Sequence, residues 1–289
     1  MTFPTHYANP RANPPHPPSR PPELVAPAAP AYADIKAVNW SALKHLAVSP
    51  LLFQWRVAHP EPEKDAYTLG SAIHCLILEP EKFDARYAVY EARRAGKEWD
   101  AWQDAHPGVE ALKPAEMDAV RAVASAVADH PVAHRALSGG RVEETTTWAD
   151  KETSLACKGR IDFIRPNRVV DLKSARDVSP AAFARTGSQY LYHGQLAFYH
   201  DGCIAAGKIP IDAAPPQIVA VQKTEPYDVA VYTLTADALN CGRRLYRGLL
   251  DKLAACLEAD LWPGCAPTEL PLDVAAWAPG GNPDISEEF

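Results

Sequence analysis

The chain has 289 residues, 47% of them hydrophobic, with a formal net charge of −7 and a pI near 5.8. That length makes one large domain or two small ones with a real core, and the acidity counts against a dedicated duplex-binding module, which is normally basic. It does not exclude a nuclease, where bound divalent ions and a local basic lining offset the global sign.

No run approaches the roughly 18 apolar residues of a membrane span, so no membrane partner is expected. The N-terminus lacks the basic-then-apolar layout of a secretory signal. Six cysteines, at 75, 157, 203, 241, 256 and 265, stand singly without a C-x-x-C pair. Neither a zinc ribbon nor an iron–sulfur cluster is expected, and a reducing cytoplasm is the expected compartment.

Residues 1–31 are rich in Pro, Ala and Asn, and runs such as Asn13-Pro14-Pro15-His16-Pro17-Pro18 form neither helix nor central strand. A disordered tail of polyproline II character is expected there. The folded part is expected over 32–260, followed by a mostly irregular extension over 261–289. Asn39 or Ser41 caps a helix to about Ala47, Ser49-Pro50 interrupts it, and a second helix covers 51–58. A charged loop at 60–66 leads to a mostly buried helix over 68–78. Short helices and loops are expected over 80–107, and a helical stretch over 114–137 that breaks near Pro131. The pattern then turns to period two, predicting strands over 142–149, 154–164 and 168–173 with a turn at Asn167. Ser179 caps a helix over 180–185 with Pro180 at its first position, and a longer helix covers 190–206. Strands over 217–223 and 228–233 precede a last helix, capped by Thr235, that ends near Leu257. The order gives an α/β (α+β-like) fold with no internal repeat.

Chemistry gathers on the strands. Cys157-Lys158-Gly159-Arg160-Ile161-Asp162 places one acid in a β-like run, and Asp171-Leu172-Lys173 places an acid and a lysine, D-x-K, in the next. Acids among Ile, Phe, Val and Leu are costly unless paired or metal-bound. Period two puts Asp171 and Lys173 on one face, beside Asp162 if the strands are antiparallel neighbours. Two carboxylates and an ammonium at adjacent strand ends suit metal-dependent phosphodiester hydrolysis; a surface Asp–Lys pair is the plainer reading. His74 follows Gly70 by four residues on a helix face, where a small residue admits a close neighbour and the imidazole can bind metal; a lone core histidine is the ordinary alternative. Glu143 shares a strand face with Thr145 and Thr147 and is the favoured additional acid, with Glu144 the alternative. Gln195 and Tyr199 form an i, i+4 pair that hydrogen-bonds a phosphate or a site group in the nuclease reading. Arg160 is either a phosphate contact or a strand-surface charge.

The ordered series G-x-x-x-H, E, G-R-x-D, D-x-K, Q-x-x-x-Y resembles the PD-(D/E)xK nuclease superfamily, and most closely its RecE/exonuclease VIII branch, related to lambda-type exonuclease and the RecB nuclease domain. Asn39-Trp40-Ser41-Ala42-Leu43-Lys44 with Ser49-Pro50, Leu69-Gly70-Ser71-Ala72-Ile73-His74 through Leu78-Glu79-Pro80, and the strand and helix motifs above carry the match, over about 32–257. The resemblance implies a restriction-endonuclease-like core, a central mixed β-sheet flanked by helices. It implies a Mg2+-dependent exonuclease, with Mn2+ as substitute, that digests double-stranded DNA ends from the 5′ side and feeds a RecT-type annealing protein. It also implies a ring-shaped homo-oligomer, a trimer or tetramer. By that resemblance Asp162 and Asp171 are metal ligands, with His74, the Leu172 backbone carbonyl and Glu143 assisting; Lys173 is the catalytic lysine; and Arg160, Ser174, Gln195 and Tyr199 contact DNA. The chain departs from the pattern at Asp171, where many members have Glu, and at Ile161, where Pro is common. An endonuclease, a single-strand nuclease or a non-catalytic DNA-binding subunit on the same core remain alternatives.

Overall fold

A computed structural model of the protein describes residues 31–59, 65–266 and 268–272. The expected tail over 1–30, part of the 60–66 loop and most of the C-terminal extension lie outside the described residues. The chain starts with a 3-10 turn, Tyr32–Asp34, then α1 (Trp40–Leu43), a second 3-10 turn (Lys44–Ala47) and α2 (Pro50–Ala58). Both helices begin where a side chain can take an orphan N–H. Asn39 Oδ1 accepts from the Ala42 amide at 2.9 Å, and Ser49 Oγ accepts from Leu52 at 3.1 Å. Asn39 is therefore the cap, and Ser41 is not.

Next come α3 (Asp65–Leu78), α4 (Pro80–Arg86), β1 (Tyr87–Val89), α5 (Lys97–Ala105), β2 (Glu110–Leu112), α6 (Pro114–Asp129) and α7 (Pro131–Ala136). The expected break near Pro131 falls between α6 and α7, where His130 Nδ1 accepts from Ala133 N–H at 3.1 Å. β1 and β2 pair in parallel, a two-stranded sheet in the region read as helices and loops. Three-residue strands carry too few alternations to register as period two.

β3 (Arg141–Ala149), β4 (Ala156–Arg165) and β5 (Arg168–Ala175) follow, then α8 (Pro180–Gln189), α9 (Tyr192–Ala205), β6 (Gln217–Gln222), β7 (Val229–Thr233) and α10 (Ala236–Ala259). Ser179 sits at the N-cap of α8, but its hydroxyl makes no capping bond, contrary to expectation. Thr235 Oγ1 does cap α10, accepting from Ala238 N–H at 3.1 Å. The main sheet has the order β3-β4-β5-β6-β7. Its pairs are antiparallel except β5–β6, which is parallel and bridged by the α8–α9 crossover. The sheet is therefore mixed and flanked by helices.

Both faces of the sheet are covered, which is why the centre of β6, Ile218-Val219-Ala220-Val221, is continuously apolar and why β5 carries apolar residues toward both cores around its Asp171 and Lys173. Val169, Ala175, Ile218 and Ala220 pack into one core with α1, α9 and α10, around Leu43, Leu196, Phe198 and Leu250. Val170, Leu172, Val219 and Val221 pack into the other with α3 and α6, around Ile73, Val120 and Val123. Beyond α10 the chain returns to α2: Leu51 N–H donates to Pro263 O at 3.0 Å, and Trp262 stacks on Phe53 at 5.9 Å.

α9 and α10 are joined by a polar clamp. Asp201 accepts from Arg243 Nη2 at 2.8 Å, from Tyr246 Oη at 2.8 Å and from His200 Nδ1 at 3.1 Å. Burial alone would raise the Asp201 pKa, but these donors outweigh it and hold the carboxyl well below the usual range. A depressed folded pKa contributes stability above the unfolded carboxylate value, about 3.9, that is lost as pH falls through the folded one. We predict that Asp201→Asn costs about 2 kcal/mol at pH 7, and that the drop in urea midpoint from pH 7 to pH 3 is smaller in the variant than in the wild type. Equal drops in the two proteins would contradict the clamp.

Candidate active site

β4 and β5 pair only briefly. Phe163–Val170, Ile164–Val169 and Arg165–Arg168 are in register, and beyond them the strands part. Further along the same edge, β4 is covered instead by Val38. Val38 bridges Cys157, accepts from Lys158 N–H at 2.7 Å and donates to Ala156 O at 2.8 Å. Residues 159–162, between the two contacts, have no strand partner on that side among the described residues. A cleft of about 240 Å³ opens there, lined by Tyr32, Ser41, His74, Glu143, Arg160, Asp162 and Tyr199.

The parting strands leave the main chain of Leu172 without a ladder partner toward β4, and two side chains take its place. Leu172 N–H donates to Asp162 Oδ2 at 2.9 Å, and its carbonyl lies 2.6 Å from His74 Nε2. A carbonyl oxygen only accepts, so His74 donates from Nε2. His74 Nε2 is also 4.0 Å from Asp162 Oδ2. The Leu172 side chain is fully buried, so this backbone is a fixed reference for both groups. Strict alternation also fails at Asp162: Ile161 and Ile164 enter one core and Phe163 the other. The strand turns its acid into the opening.

Glu143 reaches the cleft by a different device from the one expected. Thr145 and Thr147, its partners in alternation, are exposed, and the inward residue is Thr146. Glu143 instead adopts a left-handed backbone, φ 47°, a conformation that costs a non-glycine residue about 1–3 kcal/mol and concentrates at functional sites. Its Oε2 meets Arg160 Nε at 2.9 Å. Burial, then the charge of Asp162, raises its pKa, with Arg160 and His74 opposing. Glu144 turns away, to Arg141 and Lys208.

One ligand atom each from His74, Glu143 and Asp162 lie within 4.8 Å of one another. Two carboxylates and an imidazole, half-exposed and beside the Leu172 carbonyl, suit an oxygen-preferring divalent ion that keeps open positions for water and substrate. Asp171 is not among the three. It is 1% exposed, and its Oδ2 meets Lys173 Nζ at 2.8 Å as an ion pair, while neither carboxylate oxygen has a hydrogen bond of good geometry among the described residues. An orphaned buried carboxylate oxygen is costly and marks room for a cation. Burial works against the Lys173 charge, but Asp171 and Asp162 outweigh it and hold the ammonium protonated. For Asp171 burial dominates and raises the pKa. Lys173 Nζ also lies 5.2 Å from the Tyr192 ring centroid.

The remaining motifs interlock. A β-carbon at Gly159 would lie 2.9 Å from Tyr199 Cε1, so the glycine of G-R-I-D makes room for the ring of Q-x-x-x-Y. Tyr199 is buried, which raises its pKa, and its hydroxyl pairs with Gln195. A β-carbon at Gly70 would meet Ser174 Oγ at 3.4 Å, so the glycine before His74 does admit β5 closely. That contact sets Ser174 against α3, and neither Ser174 nor Gln195 lines the cleft. Glu79, in the L-E-P segment, is bound to Lys82 and Arg86. Tyr32 and Ser41 also line the cleft; Ser41 lies in the Asn39–Lys44 stretch of the resemblance but had no site role expected of it, and Tyr32 lies outside every motif.

A family model described as "PDDEXK-like domain of unknown function (DUF3799)" matches residues 39–268. Among solved structures the chain is similar to a candidate exonuclease from Eubacterium rectale, with a TM-score of 0.56 and 15% identity over 88% of this chain and 94% of that one. Similarity to the structure of SSO0001 is weaker, at a TM-score of 0.27 and 16% identity over 75% of this chain and 85% of that one, and carries no argument. No curated protein matches. At such identities the exonuclease structure speaks for the fold alone, and it agrees with the mixed sheet and with the expected restriction-endonuclease-like core. With the family model spanning the sheet, the cleft and both acids of β4 and β5, the chain belongs to the PDDEXK-like family DUF3799.

Proposed function

We propose that this protein is a divalent-metal-dependent deoxyribonuclease, an exonuclease that works on linear duplex DNA from the 5′ end. It leaves 3′ single strands for recombination by a RecT-type annealing protein, acting in the cytoplasm as a homo-oligomeric ring. The observation that carries the hydrolytic reading is the convergence of His74, Glu143 and Asp162 on one point beside the Leu172 carbonyl, with the pair of buried Asp171 and partly exposed Lys173 on the same strand. Polarity, annealing partner and ring rest on the resemblance of the ordered motifs to the RecE branch.

A bound Mg2+, or Mn2+ in its place, supplies Lewis acidity toward a phosphoryl oxygen and lowers the pKa of a water. Asp162, Glu143, the Leu172 carbonyl and His74 would hold it, His74 giving up the hydrogen bond from Nε2 to that carbonyl and with it the Nε2 proton, and Asp171 would be a further acid. Lys173 keeps a full positive charge in a low-dielectric surrounding, where it stabilises the charge that builds on the phosphoryl oxygens. Asp171 orients that ammonium before substrate arrives. Tyr199, fixed by Gln195 and by the space at Gly159, walls the cleft, and Arg160 faces the strand at the mouth.

Linear duplex labelled separately at its 5′ and 3′ ends tests the reading. With Mg2+ the wild type is expected to release 5′-terminal nucleotides and leave 3′ overhangs, and with EDTA to release nothing. Lys173→Ala lowers kcat by about 100-fold or more while DNA affinity stays within about threefold; equal losses in the two would contradict the assigned role. A second prediction concerns the ion itself. In calorimetric titration with Mn2+, Asp162→Asn and Glu143→Gln each weaken binding about tenfold or more, whereas Glu144→Gln binds like the wild type. Indifference to Glu143, or loss with Glu144, would remove the left-handed Glu143 from the site.

A further inference from the structure

We propose that Tyr32 is a positioning residue for the substrate: its ring holds the guanidinium of Arg160 at the mouth of the cleft, where that group takes a backbone phosphate of the DNA. The inference rests on the nuclease reading above and adds to it a residue from outside every motif.

The N-terminal segment is fastened to β4 with unusual means. Lys158 is 5% exposed, and its ammonium donates to two main-chain carbonyls, Tyr32 O and Ile35 O, each at 2.7 Å. A buried ammonium is costly unless its donors are satisfied. Here they are spent on one 3-10 turn. The same ammonium lies 4.4 Å from the Tyr32 ring centroid, so ring and backbone are held by one side chain. Immediately along the chain, Val38 occupies the edge of β4, exchanging bonds with Ala156 and Lys158. Tyr32 is thereby placed as a wall of the cleft, facing Arg160.

Arg160 Cζ is 5.6 Å from the Tyr32 ring centroid, and Arg160 Nε meets Glu143 at 2.9 Å. Ring and carboxylate together fix the plane of the guanidinium. Its side chain is still 59% exposed, so the guanidinium remains open to solvent. A planar fork, held on one side and free on the other, is the arrangement that accepts a phosphate in a defined direction. A flexible arginine would meet the same phosphate at a larger entropic cost. Without the ring, Arg160 keeps its charge but loses its orientation. The loss falls on binding of the strand rather than on the chemical step.

The test uses the full chain, linear duplex DNA and Mg2+ for kinetics, with salt-dependent binding of a fluorescent duplex read in Ca2+. Tyr32→Leu is expected to raise KM about fivefold with kcat within about twofold. Tyr32→Phe, which keeps the ring, stays near the wild type. Arg160→Gln raises KM and lowers the slope of log Kd against log salt by about 1. Tyr32→Leu added to Arg160→Gln changes KM by less than about twofold, because both act through one guanidinium. An unchanged KM in Tyr32→Leu, a Phe variant as poor as the Leu variant, or a full-sized Tyr32→Leu effect without Arg160 would each overturn the proposal. If the wild type cleaves and Tyr32→Leu is silent, only this inference falls. If the wild type neither cleaves nor binds DNA, the nuclease reading falls and takes this inference with it.

Discussion

A strand that loses its neighbour must find other partners for its main chain, and the site is organised around one such residue. Leu172 sits where β4 and β5 part. Its N–H and carbonyl are taken by Asp162 and His74, which come from a strand and from a helix nearly a hundred residues earlier in sequence. Buried backbone groups are almost always paired, so the splayed strands require polar side chains at this point. Those that serve are also the ones that converge with Glu143. In the proposed reading the same gap that needs a carboxylate and an imidazole for backbone accounting would offer them to a cation, and Leu172, locked in the core by its side chain, sets where they meet.

Several local rules are broken together around this gap. Glu143 takes a left-handed backbone, alternation fails at Asp162, and the buried Asp171 is paired to a partly exposed Lys173 with neither carboxylate oxygen in a hydrogen bond of good geometry. Replacing a buried ion pair with apolar residues is often neutral or stabilising, so the pair is a poor candidate for a stability device. Strain, orphaned polar atoms and buried charge together are what a site built for an absent charge looks like. By contrast, the helix caps at Asn39, Ser49 and Thr235 all form, and the apolar run of β6 is buried on both faces as its composition requires.

Much of this was legible in the chain. The period-two runs located β3, β4 and β5, the D-x-K spacing put Asp171 and Lys173 together, and Gly70 announced a close neighbour beside His74. Glu143 was preferred to Glu144, but on face-sharing with Thr145 and Thr147; the backbone turn that brings it inward leaves no mark in residue type. The β1–β2 sheet escaped because its strands are too short to show a period. Tyr32 and Ser41 escaped for a deeper reason. Their place in the cleft depends on the edge of β4 being open, a long-range fact, and on Lys158, which reads as an ordinary strand residue until its burial is seen. Ser174 follows Lys173 in sequence, yet its strand position carries it to α3, because successive residues of β5 face opposite cores.

The central claim is that the gap between β4 and β5 is a divalent-metal site. The most direct measurement is a crystal structure of the protein soaked in Mn2+, with the ion located by its anomalous scattering. The account predicts a peak bounded by His74, Glu143, Asp162 and the Leu172 carbonyl, with the Asp171–Lys173 pair alongside. A peak elsewhere, or a fully ordered cleft with none at millimolar Mn2+, would contradict it.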